Sequence, residues 1–197
     1  MILKRNKKFK QYLFVIYAGE FFASAEDIII STILGSCISV CLYDPMAKVG
    51  GMNHFMLPDK IQFDEDKLYT PDTRYGIHAM DILINQVLKK GATRENLKAK
   101  IFGGGSSSGK NFSVIGNKNA RFAKKYLEVE NILIETEDTG GKEARKIFFY
   151  PTTGKVFLKR IFKEPFFEKV EEQKEAKTNK KIQEIETLPG FIDFNNF

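Results

Sequence analysis

Two residues of this 197-residue chain have the types and the spacing for joint chemistry, Cys37 and His54. Both lie in the stretch STILGSCISVCLYDPMAKVGGMNHFMLP, which also holds the second cysteine, Cys41. An imidazole beside a thiol favours the thiolate, which is the form that attacks a carbonyl carbon. The pair Gly35-Ser36 before Cys37 would add backbone N–H groups for a developing oxyanion. This pattern indicates acyl transfer, although a buried cysteine and an unrelated surface histidine are the commoner case.

The two cysteines are predicted to act separately. The residues between and after them, Ile38, Val40 and Leu42, favour a strand, in which Cys37 and Cys41 face the same way. Four residues of strand span about 13 Å, whereas a disulfide needs Cα atoms within about 7 Å. A disulfide and a metal site made by this pair alone are therefore both excluded, unless the segment is helical.

A hairpin is predicted to bring the histidine to the thiol. The turn signal at residues 44–48 joins two apolar runs, and a hairpin centred on Pro45-Met46 pairs Cys37 with His54. Directly opposed side chains have Cβ atoms roughly 4.5–5.5 Å apart. A bulge at Gly50-Gly51 is the alternative, and it would shift this register.

The order of the elements predicts an α+β domain. Short strands come first, followed by a helix over residues 73–90, a strand, a glycine-serine loop, a second helix over residues 117–131, and three further strands that include a hairpin. The predicted strands cover residues 12–18, 21–24, 27–31, 37–43, 50–57, 99–102, 132–137, 145–150 and 156–161. Composition changes near Phe162, so the predicted division is a domain over residues 1–162 and a charged helical extension with an aromatic end over residues 163–197.

Charge and hydropathy narrow the class of protein. The net charge is +6, but basic and acidic residues are interleaved, so nucleic-acid binding is not expected. No run approaches the roughly 18 apolar residues of a membrane span, and two cysteines do not make a disulfide framework, so a cytoplasmic protein without membrane insertion is expected. The N-terminus has the outline of a secretory signal, but residues 12–18 equally describe a buried first strand, which we favour.

The glycine-serine loop suggests an alternative function, nucleotide binding. Residues 104–110, GGSSSGK, fit the phosphate-binding pattern G-x-x-x-x-G-K after a strand. The pattern fails at Asn111, where serine or threonine should bind magnesium, and no helix is expected to begin there. A role in shaping a substrate cleft or a flexible turn is the favoured interpretation.

Several motifs together resemble a known family. The segments LGSCISVCLYDPMAKVGGMNHFMLP, RYGIHAMDILI, GATRENLKAKIFGGG, IGNKNARFA and EDTGGKEARKIFFYPTTGKVFLKR look like the CheD family of chemoreceptor glutamine deamidases. The resemblance runs from about Val15 to Arg160 and implies an α/β/β sandwich of mixed sheets with two main helices on one side. It implies an enzyme that converts receptor glutamines to glutamates without a metal or an organic cofactor. The implied partners are methyl-accepting chemotaxis receptors and a CheC-type phosphatase.

The resemblance also implies site residues. Cys37 matches the family nucleophile and His54 the family histidine. The family threonine stands six residues before the cysteine, at Ser31 here, while Thr32 is expected on the opposite face. Substrate contacts are expected from Ser36, Asn53, Gly104 and Gly105, although the loop departs from the family pattern. The alternative function is a non-enzymatic module that binds receptors or a CheC/CheX-type phosphatase.

Overall fold

The computed structural model describes residues 2–5, 11–58, 64, 66, 68–70, 73–105 and 110–161. In chain order, its strands and helices are β1 (Ile2–Arg5), β2 (Tyr12–Val15), β3 (Phe21–Ser24), β4 (Ile29–Leu34), β5 (Ile38–Asp44), β6 (Val49–Asn53), α1 (Arg74–Lys89), β7 (Lys98–Gly103), α2 (Lys110–Val129), β8 (Leu133–Thr139), β9 (Ala144–Tyr150) and β10 (Lys155–Ile161). A short 3-10 helix, Arg94–Asn96, precedes β7. The predicted extension over residues 163–197 lies outside the described residues.

The described strands form two five-stranded mixed sheets. The outer sheet has the order β1-β2-β4-β9-β10, with β2 and β4 parallel and the other pairs antiparallel. The middle sheet has the order β3-β6-β5-β7-β8, with β7 and β8 parallel and the others antiparallel. Helix α1 packs on β3 and β6, and α2 packs on β5, β7 and β8. The layers are therefore outer sheet, middle sheet and helices, which confirms the predicted α+β class.

The central strand of the middle sheet, β5, is buried on both faces because it is apolar on both faces. All seven residues of β5, ISVCLYD, are buried. Ile38, Val40 and Leu42 belong to the core between the middle sheet and the helices. Cys37, Cys41 and Tyr43 alternate with them and belong to the core between the two sheets. Any reactive group on the Cys37 face is thus enclosed between the sheets.

Most predicted elements are present, with shifted ends. The first predicted helix is confirmed as α1, Arg74–Lys89, and the predicted first strand is confirmed as β2. Helix α2 begins at Lys110, so the expectation that no helix begins directly after the glycine-serine loop was wrong. Strand β1 was not predicted, because its residues ILKR read as part of a basic terminus.

Candidate active site

The nucleophile candidate lies in a turn that leads into β5. Each carbonyl of Gly35, Ser36 and Cys37 accepts a hydrogen bond, from the backbone N–H of Gly105 (2.6 Å), Asn119 Nδ2 (3.0 Å) and the backbone N–H of Gly104 (2.8 Å), in that order. Cys37 is 6% exposed, and its side chain is reduced. The turn is therefore held from the β7–α2 loop on one side and from α2 on the other.

Glycine is required where the loop meets the turn. Gly103 has φ +115° and Gly104 has φ +65°, which are backbone conformations that L side chains rarely adopt. A Cβ on Gly103 would also lie 2.2 Å from the Cys37 carbonyl oxygen. The predicted substrate residues Gly104 and Gly105 thus contact the turn at residues 35–37, which holds the candidate nucleophile, through their N–H groups. Because those two N–H groups are engaged there, they are not available to cradle a phosphate.

The predicted register of the hairpin was wrong by two residues. Strand β5 pairs with β6 so that Cys41 is opposite Met52, and an isolated bridge joins Ile38 to Phe55. This regular register, without a bulge, places His54 opposite Ser39, two residues along the strand from Cys37. Such diagonal neighbours on one face lie roughly 7–8 Å apart between Cα atoms, within reach of a long side chain. His54 is also buried, at 6% exposure.

The loop between β2 and β3 holds the histidine backbone. The N–H of Gly19 donates to the His54 carbonyl (2.7 Å), and the N–H of His54 donates to the Glu20 carbonyl (2.9 Å). Gly19 has φ +81°, and a Cβ there would lie 3.1 Å from the hydroxyl of Tyr75. Burial and the nearby Cys37 raise the pKa of Tyr75 above its ordinary value. Tyr75, in the first turn of α1, is therefore a neighbour of the site that sequence reasoning missed.

The hydroxyl that contacts the histidine belongs to Thr32. Its Oγ1 lies 2.7 Å from His54 Nδ1 and donates to the carbonyl of Ile16 at 2.8 Å. Thr32 shares the inner face of β4 with Ile30 and Leu34, which line the core between the sheets. Ser31 points the other way, and its buried Oγ has no hydrogen-bond partner among the described residues. The structure therefore places Thr32, and not the predicted Ser31, against the imidazole.

Asn53 and Ser36 lie in different surroundings. The Asn53 amide accepts from the N–H of Val40 (2.9 Å) and donates to the carbonyl of Ala79 in α1 (3.1 Å). It thus faces the helices, on the opposite side of the middle sheet from Cys37. Ser36 is buried directly before Cys37, and its carbonyl accepts a hydrogen bond from Asn119, another residue that sequence reasoning missed. No local sequence pattern indicated Asn119, because it contacts Ser36, which is 83 positions away in the sequence.

The second cysteine has a different environment. Cys41 is fully buried, and this burial raises the pKa of its thiol far above the ordinary value, outweighing Lys100 and a hydrogen bond with Ser39, which lower it. A thiol that stays protonated is a poor nucleophile. Among the described residues, no three His, Cys, Asp or Glu side chains come together as a possible metal site. None of the described helices is both long and apolar enough to cross a membrane.

The fold and the site together define a class of protein. It is an α/β/β sandwich in which a threonine contacts a histidine between two mixed sheets, and a cysteine lies on the same face of the middle sheet as the histidine. A model of the CheD family, described as CheD chemotactic sensory transduction, matches residues 56–160. That range begins after Cys37 and His54, so neither residue lies in the matched part of the chain.

Relatives with similar sequences carry one name. A protein of Methylobacillus flagellatus is 49% identical over 147 residues, covering 74% of this chain and 72% of the relative. One of Cupriavidus metallidurans is 40% identical over 157 residues, covering 79% and 71%. Both are named "Probable chemoreceptor glutamine deamidase CheD". This chain belongs to the CheD family of chemotaxis proteins.

Proposed function

We propose that this protein deamidates glutamine side chains of methyl-accepting chemoreceptors, with Cys37 as nucleophile and His54 as the acid–base group. The observation that carries the proposal is the buried hydrogen-bond chain from His54 Nδ1 to Thr32 Oγ1 to the Ile16 carbonyl. It holds an imidazole in the core between the sheets, on the face where Cys37 lies. The family membership supplies the substrate class, because the relatives are named as probable chemoreceptor glutamine deamidases.

The chain of hydrogen bonds selects one tautomer of His54. A threonine hydroxyl has one hydrogen, and a carbonyl oxygen can only accept. Because Thr32 donates to the Ile16 carbonyl, its oxygen must accept from His54 Nδ1, which therefore carries the proton. In the neutral ring, Nε2 is then the basic nitrogen. Thr32 thus fixes the histidine in the form that can take the thiol proton.

The reaction then follows in two halves. His54 takes the proton of Cys37, and the thiolate attacks the carboxamide carbon of the glutamine to give a tetrahedral oxyanion. The imidazolium returns its proton to the leaving nitrogen, so that ammonia departs and a thioester remains. His54 next takes a proton from water as the water oxygen attacks the thioester, and the imidazolium returns that proton to the departing sulfur, so that glutamate and the thiol are released. The proton count balances, and no cofactor enters the sequence.

The test is conversion of glutamine to glutamate in receptor cytoplasmic fragments, followed by peptide mass spectrometry. The wild-type protein is expected to convert specific glutamines, and Cys37→Ser is expected to abolish conversion. Cys41→Ser is the matched control, since it removes the other buried cysteine on the same face, and it should retain activity. Absence of conversion by the wild-type protein would contradict the deamidase function and favour the alternative, a non-enzymatic binding module. Conversion that survives Cys37→Ser would contradict the nucleophile.

Binding to a CheC-type phosphatase stays a separate prediction from the family resemblance. Co-purification with such a phosphatase, measured in parallel with deamidation, tests it independently of the chemistry. A complex formed equally well by Cys37→Ser would assign the contact to a surface outside the reactive thiol.

A further inference from the structure

Helix α2 contacts the site through one fully buried side chain, Asn119. Its Nδ2 donates to the Ser36 carbonyl at 3.0 Å, and its Oδ1 accepts from the N–H of Leu57 at 2.9 Å. Ser36 directly precedes the thiol residue, and Leu57 follows His54 by three positions. The Asn119 side-chain amide therefore joins the turn that holds Cys37 to the segment that follows His54.

The position of α2 depends on a close approach to the glycine loop. A Cβ on Gly116 would lie 2.3 Å from the Gly104 carbonyl oxygen, so only glycine allows the helix to come this near. Asn119 lies one helical turn beyond Gly116, on the same side of the helix. The helix backbone and the Asn119 amide thus hold the loop and the nucleophile turn as one unit.

The contact with Ser36 fixes a particular peptide group. The Ser36 carbonyl and the Cys37 N–H belong to the same peptide unit, which is planar and trans, so they point in opposite directions. Holding the carbonyl on α2 therefore sets the direction of the Cys37 N–H. In acyl transfer, the N–H of the nucleophile residue itself is a frequent donor to the oxyanion.

We infer that Asn119 is a positioning residue, which holds the Ser36–Cys37 peptide so that the Cys37 N–H stabilises the tetrahedral oxyanion. This inference rests on the proposed function. The side chain acts through the peptide and does not touch the reacting thiol or the imidazole. Its removal should weaken stabilisation of the transition state while leaving formation of the thiolate unchanged.

The expected loss can be bounded from related sites. Loss of one oxyanion donor lowers kcat by about 10²- to 10³-fold, and displacement of a group by about 1 Å costs about 10²-fold. For Asn119→Ala we expect a fall in kcat of about 10²-fold, with KM for a receptor fragment changed less than about threefold. The pH profile of Cys37 alkylation by iodoacetamide should stay in place, because the Thr32–His54 pair is retained.

Two variants and one control test the inference. Asn119→Asp keeps the size and the acceptor toward Leu57 but presents an oxygen to the Ser36 carbonyl, so it tests the donor even if Asn119→Ala fails to fold. A protonated carboxyl can donate, so kcat of Asn119→Asp relative to wild type should rise as the pH is lowered. Asp44→Ala is the control for general destabilisation, because it removes a buried side chain that accepts backbone N–H groups at the far end of β5.

The outcomes separate the inference from the function it rests on. A large loss of kcat with an unmoved alkylation profile in the Asn119 variants, and unchanged kcat in Asp44→Ala, supports the inference. Folded Asn119 variants with kcat within about threefold of wild type overturn it while leaving the deamidase intact. An alkylation profile that shifts together with kcat also overturns it, since Asn119 would then act on the thiol. A wild-type protein without deamidation overturns both.

Discussion

The hydroxyl of Thr32 is the smallest feature on which the proposed reaction depends, because its hydrogen bonds set which nitrogen of His54 carries the proton. It is 2% exposed and bonded on both sides, to His54 and to the Ile16 carbonyl. Ser31, its neighbour, is equally buried but has an Oγ without a hydrogen-bond partner among the described residues. Substitutions at Thr32 and Ser31 therefore compare a buried hydroxyl that contacts His54 with an adjacent buried hydroxyl that does not.

Thr32→Val should lower kcat by roughly tenfold to a hundredfold, as loss of the hydrogen-bond partner of a ligating histidine does in metal sites. The variant keeps the side-chain shape but removes the acceptor for Nδ1–H, so the tautomer is no longer fixed. Thr32→Ser, which keeps the hydroxyl, should restore most of the activity. Steady-state deamidation of a receptor fragment provides the measurement.

Ser31→Ala is the matched control and should leave kcat unchanged. Removing a buried hydroxyl without a partner is expected to be neutral or slightly stabilising in urea unfolding. A larger loss of activity in Ser31→Ala than in Thr32→Val would return the orienting role to the position that the family resemblance indicates.

The two cysteines should differ in alkylation. Burial raises the pKa of Cys41, so this thiol stays protonated across the range in which iodoacetamide reacts with thiolates. We expect intact-protein mass spectrometry to show one added group on the native protein, located at Cys37, and a second group only in denaturant. Modification of Cys41 in the native protein would show that the core between the sheets opens.

At the scale of elements, the β5–β6 hairpin depends on the Asp44 side chain. Asp44 Oδ1 accepts from the N–H groups of Met46 (2.8 Å) and Ala47 (2.9 Å), and Oδ2 accepts from the N–H of Thr93 (2.9 Å). Desolvation opposes ionisation of this carboxyl, but these hydrogen bonds outweigh it and hold its pKa below the ordinary value. The ionised carboxylate therefore stabilises the turn and ties it to the segment before β7.

Asp44→Ala should lower the free energy of unfolding by about 1.5–3 kcal/mol at neutral pH, the usual contribution of a hydrogen bond to a charged group. Because the folded-state pKa is lowered, the stabilisation is present above the unfolded-state pKa and is lost as the pH falls through the folded-state value. The difference between the variant and the wild type should thus shrink in acid. Urea unfolding at neutral pH and at about pH 3 measures it, and an equal difference at both would contradict the role of the charge.

The sequence predicted the presence of the strands and helices better than the register between strands. Short apolar runs bounded by turn residues located nine of the described strands, because those signals are local. The hairpin register was missed because the loop has four residues, Pro45–Met46–Ala47–Lys48, held by Asp44 and by Lys48 with φ +55°. The sequence did not show which residues of β4 face the core between the sheets, since the run IIISTIL is apolar on both faces. The start of α2 was missed because Gly116 and β-branched residues disfavour a helix that tertiary contacts stabilise.

At the scale of the whole molecule, Arg145 links the two sheets beside the nucleophile turn. It is on β9 of the outer sheet, and its side chain is 1% exposed. Its Nε donates to Asp138 Oδ1 on β8 of the middle sheet at 2.8 Å, and its other nitrogens donate to the carbonyls of Gly140 and Glu143. Arg160 Nη2 contacts the second oxygen of the same carboxylate at 2.6 Å, but its side chain is 44% exposed.

Arg145→Met should lower the free energy of unfolding by about 2–4 kcal/mol, because it leaves two carbonyls and a carboxylate without their buried donor. Arg160→Met is the matched control, since it removes the exposed partner of the same carboxylate, and it should cost less than about 1 kcal/mol. Chemical unfolding of both variants gives the comparison. Equal losses would show that the carboxylate, and not the burial of Arg145, determines the contribution.

The strand order of the outer sheet has a consequence for synthesis of the chain. Strand β4, which presents Thr32, pairs with β2 from the first part of the chain and with β9 from the last part. A chain emerging from the ribosome can form the β5–β6 hairpin early, because that contact is local. The outer sheet can be completed only after β9 has been synthesised. Nascent chains that stop before β9 therefore hold Cys37 without its cover. The Cys37 thiol becomes enclosed only when nearly the whole described domain has been made.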